Sequence, residues 1–267
     1  MIKIGIAGCG GRMGRALIAE TLATEGAALA AGAERAGDAA VGRDLGQLAG
    51  RESVGIVATA EAAALFAAAD VVIDFSTPAA TAAHVRLAER TGKAMVIGTT
   101  GFDAFESRAI EEASRLVPIV RAANYSVGVA LLVSMVERAA RILDAGYDVE
   151  IVEMHHRHKV DAPSGTALAL GRAAAAGRQV RLEDVWRKQR DGQTGARPRG
   201  EIGFASLRGG DVVGDHAAIF ATDGERIEFA HKASSRQVFA KGALRAALWV
   251  AGKPPRLYSM KDVLGLE

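Results

Sequence analysis

The chain has 267 residues, 49% hydrophobic and 24% charged, with a formal net charge of +2. That suits a globular protein with a sizeable core, as one large domain or two modest ones. The charge is too small, and the basic residues too scattered, to indicate a nucleic-acid partner.

The single cysteine, Cys9, excludes an intrachain disulfide and fits a reducing compartment. The opening MIKIGIAGCG lacks the parts of a signal peptide. No run of about 18 apolar residues exists. The expectation is a cytoplasmic protein with no membrane partner.

Taken in order, Ile2–Ala7 (IKIGIA) is an apolar run that reads as a buried strand. GCGGRMG follows, then RALIAETLA with helical spacing. Strand, glycine turn, helix is the context that gives a dinucleotide fingerprint meaning. Met13 stands where the strict pattern wants glycine, so the working spacing is Gly8, Gly11, Gly14. Glycines there let backbone N–H groups approach a pyrophosphate at a helix start. Ala27–Ala33 reads as a second strand ending at Glu34, where an acidic side chain bonds the adenosine ribose. Arg35, helped by Arg12, suits a 2′-phosphate, so NADH and NADPH are both expected. The plain alternative for Arg35 is a solvated charge.

Residues 38–51 read as a loop and 53–58 as a weak strand. Strands at 71–75, 93–97 and 118–122 alternate with helices at 79–90 and 106–116. Such alternation means a parallel, doubly wound sheet of Rossmann type. Three strands end in DFSTP, GTTG and ANYS, the carboxyl ends where such sheets bind ligands. Asp74 reads as a turn cap, His84 as structural or exposed, and Cys9 as a small side chain without a base beside it.

A long apolar helix is expected over 127–143 and a half-exposed strand over 149–154, which delivers His155 to a strand end. Further strands are expected at 201–208, 216–222 and 226–231, the last two joined by an Asp223-Gly224 hairpin. This half reads as a second, α+β domain on a mixed, largely antiparallel sheet. Its open face makes self-association an expectation. Residues 183–199 read as a charged loop or oligomer contact, and 238–250 as a helix returning to the first domain. The boundaries are 1–126 with 237–267 for the dinucleotide-binding domain, and 127–236 for the substrate-binding and oligomerisation domain.

The densest chemistry is EMHHRHKVDAPSGT. Its open meanings are a proton donor, a metal site, an anion site and a solvated loop. Arg157 and Lys159 would repel a cation, and neither H-E-x-x-H nor C-x-x-C occurs, so no metal is expected. Ser164 has no G-x-S-x-G elbow. With Gly165 and Thr166 it reads instead as a helix start that binds an anion. His155 is a candidate general acid and Lys159 an electrostatic partner. Together with the dinucleotide fingerprint, these are the parts of a reductase for a small anionic substrate.

GCGGRMG, DFSTP, GTTGF, NYSVGV, EMHHRHKVDAPSGTA, RGGDVVGDH and HKASSR together resemble the 4-hydroxy-tetrahydrodipicolinate reductase (dihydrodipicolinate reductase) family. The resemblance runs from Ile4 to about Leu264. It implies NAD(P)H-dependent reduction of a cyclic imine dicarboxylate in lysine and diaminopimelate synthesis. It implies His155 as proton donor, Lys159 as second catalytic cation, and His156, Gly165 and Thr166 as substrate-binding. It puts the cofactor on Gly8, Cys9, Gly10, Gly11, Arg12 and Met13, on Glu34 and Arg35, on Gly98, Thr99 and Thr100, and on Ala122, Ala123, Asn124 and Tyr125. It also implies a homotetramer joined through the second domain. Tyr125 and Ala123 depart from the phenylalanine and proline common in the family. Neither is expected to disturb the hydride geometry.

Overall fold

The computed structural model describes residues 1–266; the expected C-terminal segment 237–267 ends on Glu267, which lies outside the described residues. The chain opens with β1 (Ile2–Ala7), α1 (Arg12–Ala23), β2 (Ala27–Ala33), α2 (Leu45–Leu48), α3 (Ala62–Ala68), β3 (Val71–Asp74), α4 (Pro78–Thr91), β4 (Ala94–Ile97), α5 (Ala104–Ala113) and β5 (Ile119–Arg121). Next come α6 (Val127–Ile142), β6 (Asp148–His155), α7 (Gly165–Gly177), α8 (Leu182–Val185), β7 (Trp186–Arg187), β8 (Ile202–Arg208), β9 (Gly214–Thr222) and β10 (Glu225–Ala233). The chain closes with α9 (Gln237–Val250), β11 (Leu257–Tyr258) and α10 (Met260–Leu264).

Caps set several boundaries. Thr77 accepts from Ala80 N ahead of Pro78 at the start of α4, and Gly92 ends that helix in the left-handed region. Asp103 and Glu106 close a capping box on α5.

The chain divides into two compact units, residues 1–127 with 236–266, and residues 128–235. In the first, the order β11-β5-β4-β3-β1-β2 makes a wholly parallel sheet. β3 and β4 are buried at every position, as strands covered on both faces are. Leu65, Phe66, Val85 and Ile110 from α3, α4 and α5 pack on Val72, Met95 and Ile97. α1 packs on α9, which also lies against β3, β4 and β5, so the sheet is wound on both sides.

In the second unit the sheet order is β10-β9-β6-β8-β7. It is mixed: β10–β9 and β9–β6 are antiparallel, β6–β8 and β8–β7 parallel. Asp223-Gly224 turns the hairpin, with Gly224 at φ +88°. Leu132 and Val136 of α6 and Leu170 and Ala174 of α7 cover Val149, Ile151, Phe204 and Phe220. α7 lies so close that a Cβ on Gly171 would fall 2.3 Å from the Phe204 ring.

Three local expectations are corrected. Residues 53–58 form no strand; Val57 makes one isolated bridge with Asp44. The Asp44 carboxylate takes the N–H groups of Gln47, Val54 and Gly55, removing them from any ladder. The expected loop 38–51 contains α2, which Asp44 caps. The expected loop 183–199 takes in most of α8 and the whole of β7, the latter because Trp186 and Arg187 pair with Ile202 and Gly203. Among the described residues no helix is long and apolar enough to cross a membrane.

Candidate active site

In the first unit the loop after β1 is built on close backbone packing. Gly8 takes φ +76°, and a Cβ there would stand 2.8 Å from Phe75 O. Gly11 is the N-cap of α1, with no side-chain cap and no acid in the first turn. The positive helix end therefore faces the loop without a side-chain cap of its own, a place for an anion. Glu34, at the end of β2, accepts from Gly10 N at 3.1 Å and from Arg35 N at 3.0 Å. The exposed Arg35 guanidinium pairs with Asp38 at 3.5 Å.

A cleft of about 430 Å³ lies against Gly10, Ala33, Glu34, Arg35, Ser76 and His84. Another of about 320 Å³ lies against Arg12, Met13, Gly98, Thr99, Thr100 and Arg236. The open helix start and the carboxylate at the end of β2 fit a dinucleotide, as pyrophosphate and ribose sites respectively.

The structure brings most of the expected cofactor positions to these clefts and puts two side chains in the core. Cys9 is fully buried, and its thiol is pushed up to about 11 by burial and then by Glu34. It keeps its proton and offers a ligand only backbone. Tyr125 is also buried, its hydroxyl donating to Ile97 O at 2.8 Å and Val120 O at 3.1 Å. Ala122 N bonds Ile97 O, and Asn124 accepts from Ser126 N. Asp74 does cap its turn, accepting from Ser76 N at 2.9 Å. Being fully buried, it also holds His84 Nδ1 at 2.8 Å.

In the second unit β6 ends on His155. Alternation along β6 buries Val149, Ile151 and Glu153 together. His155 follows in the same phase, and its Nδ1 meets Glu153 Oε2 at 2.5 Å. Arg208 Nη1 donates to both Glu153 oxygens at 2.9 Å, and its Nη2 donates to Asp161 O. Burial raises the Glu153 carboxyl, but bonds from His155, Ser206 and Arg208 outweigh it and hold the group below its usual range. The His216 ring stands edge-on to His155, centroids 5.0 Å apart. Burial, then the His155 charge, holds His216 down to about 4, so it is neutral at pH 7.

The loop after His155 runs to Ser164 and passes a cis Ala162–Pro163 bond. Lys159 Nζ donates to both Asp161 carboxylate oxygens, at 2.7 and 2.9 Å. Buried Ser164 caps α7 by accepting from Ala167 N, and its Oγ bonds His216 Nε2 at 3.0 Å. Gly165 and Thr166 open the helix, and a Cβ on Gly165 would meet nothing within 4 Å. This loop thus holds an imidazole backed by a carboxylate, a cation and an accessible helix start. It can give a proton and bind carboxylates.

Sequence reasoning missed Glu153, Arg208 and His216. The usable signal was phase: Glu153 falls on the same side of the strand as Val149 and Ile151, where a lone carboxylate demands partners.

Two family models cover nearly the whole chain: "Dihydrodipicolinate reductase, N-terminus" over residues 2–125 and "Dihydrodipicolinate reductase, C-terminus" over residues 128–264. A 4-hydroxy-tetrahydrodipicolinate reductase of Parvibaculum lavamentivorans is 56% identical, over 100% of this chain and 98% of its own. One from Magnetococcus marinus is 52% identical, over 100% and 99%. Among solved structures, a dipicolinate-bound dihydrodipicolinate reductase from a Paenisporosarcina species aligns with TM-score 0.77 and 25% identity, covering 98% of this chain and 99% of that one.

Proposed function

The chain belongs to the dihydrodipicolinate reductase family, and on that premise we propose that it reduces 4-hydroxy-tetrahydrodipicolinate to tetrahydrodipicolinate, a step of lysine and diaminopimelate biosynthesis. The observation that carries the reading beyond the likeness is the end of β6. There an imidazole backed by a buried carboxylate precedes a cation and an open helix start.

The substrate loses its ring hydroxyl as water, leaving a conjugated imine. When bound, a reduced nicotinamide supplies the hydride. As a ring carbon accepts it, electron density moves to the imine nitrogen, and His155 resolves that charge by giving its Nε2 proton. Hydride and proton enter, water leaves, and the atoms balance. Lys159, His156 and the Gly165-Thr166 helix start hold the two carboxylates, which orients the ring. The dipicolinate carried by the Paenisporosarcina reductase supports such a ring dicarboxylate.

The first unit serves as the dinucleotide domain, through Gly8, Cys9, Gly10, Gly11, Arg12, Met13, Glu34, Arg35, Gly98, Thr99, Thr100 and the backbone of Ala122, Ala123, Asn124 and Tyr125. Glu34 suits a ribose hydroxyl and the exposed Arg35 a 2′-phosphate, so NADH and NADPH both serve. The second unit binds substrate. Its sheet leaves Met154 and Leu207 partly exposed side by side, which supports a homotetramer joined through that face. The enzyme acts in the cytoplasm.

The test is oxidation of NADH or NADPH by the purified chain, supplied with aspartate semialdehyde, pyruvate and the synthase that condenses them. Turnover that depends on the synthase is the expected result. Absence of consumption with both dinucleotides rejects the reading.

A further inference from the structure

We propose that Glu153 is a positioning residue for His155, holding the imidazole by Nδ1 so that Nε2 presents the proton to the substrate. The inference rests on the reading of His155 as proton donor.

The register of the sheet builds this arrangement. Glu153 and His155 share one face of β6. Ser206 on β8 and His216 on β9 stand opposite Glu153, while Arg208 stands opposite His155. The carboxylate is 1% exposed and bonds Nδ1 at 2.5 Å, with Arg208 Nη1 2.9 Å from each of its oxygens. The His216 ring abuts the imidazole at an interplanar angle of 74°. Beyond it, a Cβ on Gly214 would stand 3.1 Å from Nε2, so the missing side chain keeps the reacting nitrogen clear. The imidazole is thus held at Nδ1 and supported along one edge, and Gly214 puts no side chain against Nε2.

Burying a carboxylate is costly, and Val149 and Ile151 show that apolar residues suit this face. Stability alone does not call for a glutamate here. A carboxylate behind an imidazole fixes the tautomer and stabilises the charged ring. Around the ring stand Glu153 on its own strand, Arg208 on β8 and His216 on β9, with Lys159 of the next loop and His231 of β10 acting on His216. Of these, Glu153 is the one bonded to Nδ1.

The test is a cycle of E153Q, H155Q and the double variant in the full chain. General acids are worth about 100-fold or more, so H155Q is expected to lower kcat about 100-fold. E153Q keeps the volume but removes the charge, and should lower kcat roughly 10- to 100-fold. Its KM for the dinucleotide and its affinity for dipicolinate should stay within about twofold, with the basic limb of the kcat profile moved to lower pH. On the H155Q background, E153Q should add less than about threefold, because Glu153 acts through His155.

Multiplying losses, or a fall in dipicolinate affinity and melting temperature with an unmoved pH profile, would overturn the proposal in favour of a structural clamp. A fast E153Q beside a slow H155Q overturns the role of Glu153 alone. A fast H155Q overturns the donor assignment and the proposal with it.

Discussion

A Cβ on Gly14 would stand 2.2 Å from Gly8 O and 2.6 Å from Cys9 Cα, all backbone atoms with nowhere to go. On Gly11 the nearest atom would be 3.4 Å away, an ordinary contact. Gly14→Ala must therefore pry α1 off the loop, at the upper end of the roughly 1–3 kcal/mol that overpacking costs. The expected outcome is a melting temperature lower by about 5 °C or more and a dissociation constant for NADH at least tenfold higher. Gly11→Ala should melt within about 2 °C of the parent. Equal melting of the two variants in scanning fluorimetry would refute this account. The sequence spacing points to Gly8, Gly11 and Gly14 as the working trio. Gly10 has the better steric claim, since a Cβ there would meet the Ala40 methyl at 2.7 Å. Ala40 lies far along the chain, and only the fold brings it near.

Among elements, α7 shows how local chemistry shapes the candidate site. Ser164 Oγ joins two structures: it caps α7 at Ala167 N and bonds His216 on β9. Ser164→Ala removes a cap worth about 0.5–2 kcal/mol and strips a buried imidazole of a partner, worth about 1–3 kcal/mol. The variant should melt roughly 5–10 °C lower and bind dipicolinate several-fold more weakly, by calorimetric titration. An unchanged melting temperature would remove Ser164 from both roles. The cap was legible, because Pro-Ser-Gly-Thr before an Ala/Leu run is a helix start in any context. The bond to His216 was not, since it joins residues far apart in sequence. Elements divide the same way. Long periodic helices and apolar strands were legible to within about three residues, the start of α1 and the end of α5 being furthest off. The two-residue strands β7 and β11 carry no period, and pairing with β8 and β5 creates them. The alanine-rich α3 offers little apolar contrast; Leu65 and Phe66 fix its buried face.

At the scale of the whole molecule, the two units differ in what acid does to them. Folding keeps His216 neutral: its usual value is 6.5, and burial followed by the His155 charge holds it near 4 in the folded chain. Between those pH values the unfolded chain binds more protons than the folded one. Stability therefore rises with pH across that window and is lost as pH falls through it. The loss amounts to roughly 3 kcal/mol at most. Glu153, held below its usual 4.5, adds its own loss at the acid end of the same window. Both groups lie in the second unit. In the first, Asp44 is held near 2 by bonds from Val54, Ser53, Gln47 and Gly55 that outweigh its desolvation, so its window opens only below about 3.8. Proteins of more than one unit need not melt in one step. Scanning calorimetry from pH 7 to 4.5 should therefore show the second unit's transition sliding down several degrees while the first moves less. His216→Gln, which has no proton to take up, should flatten most of that slope. Equal slopes in parent and variant would mean that other groups set the acid limit.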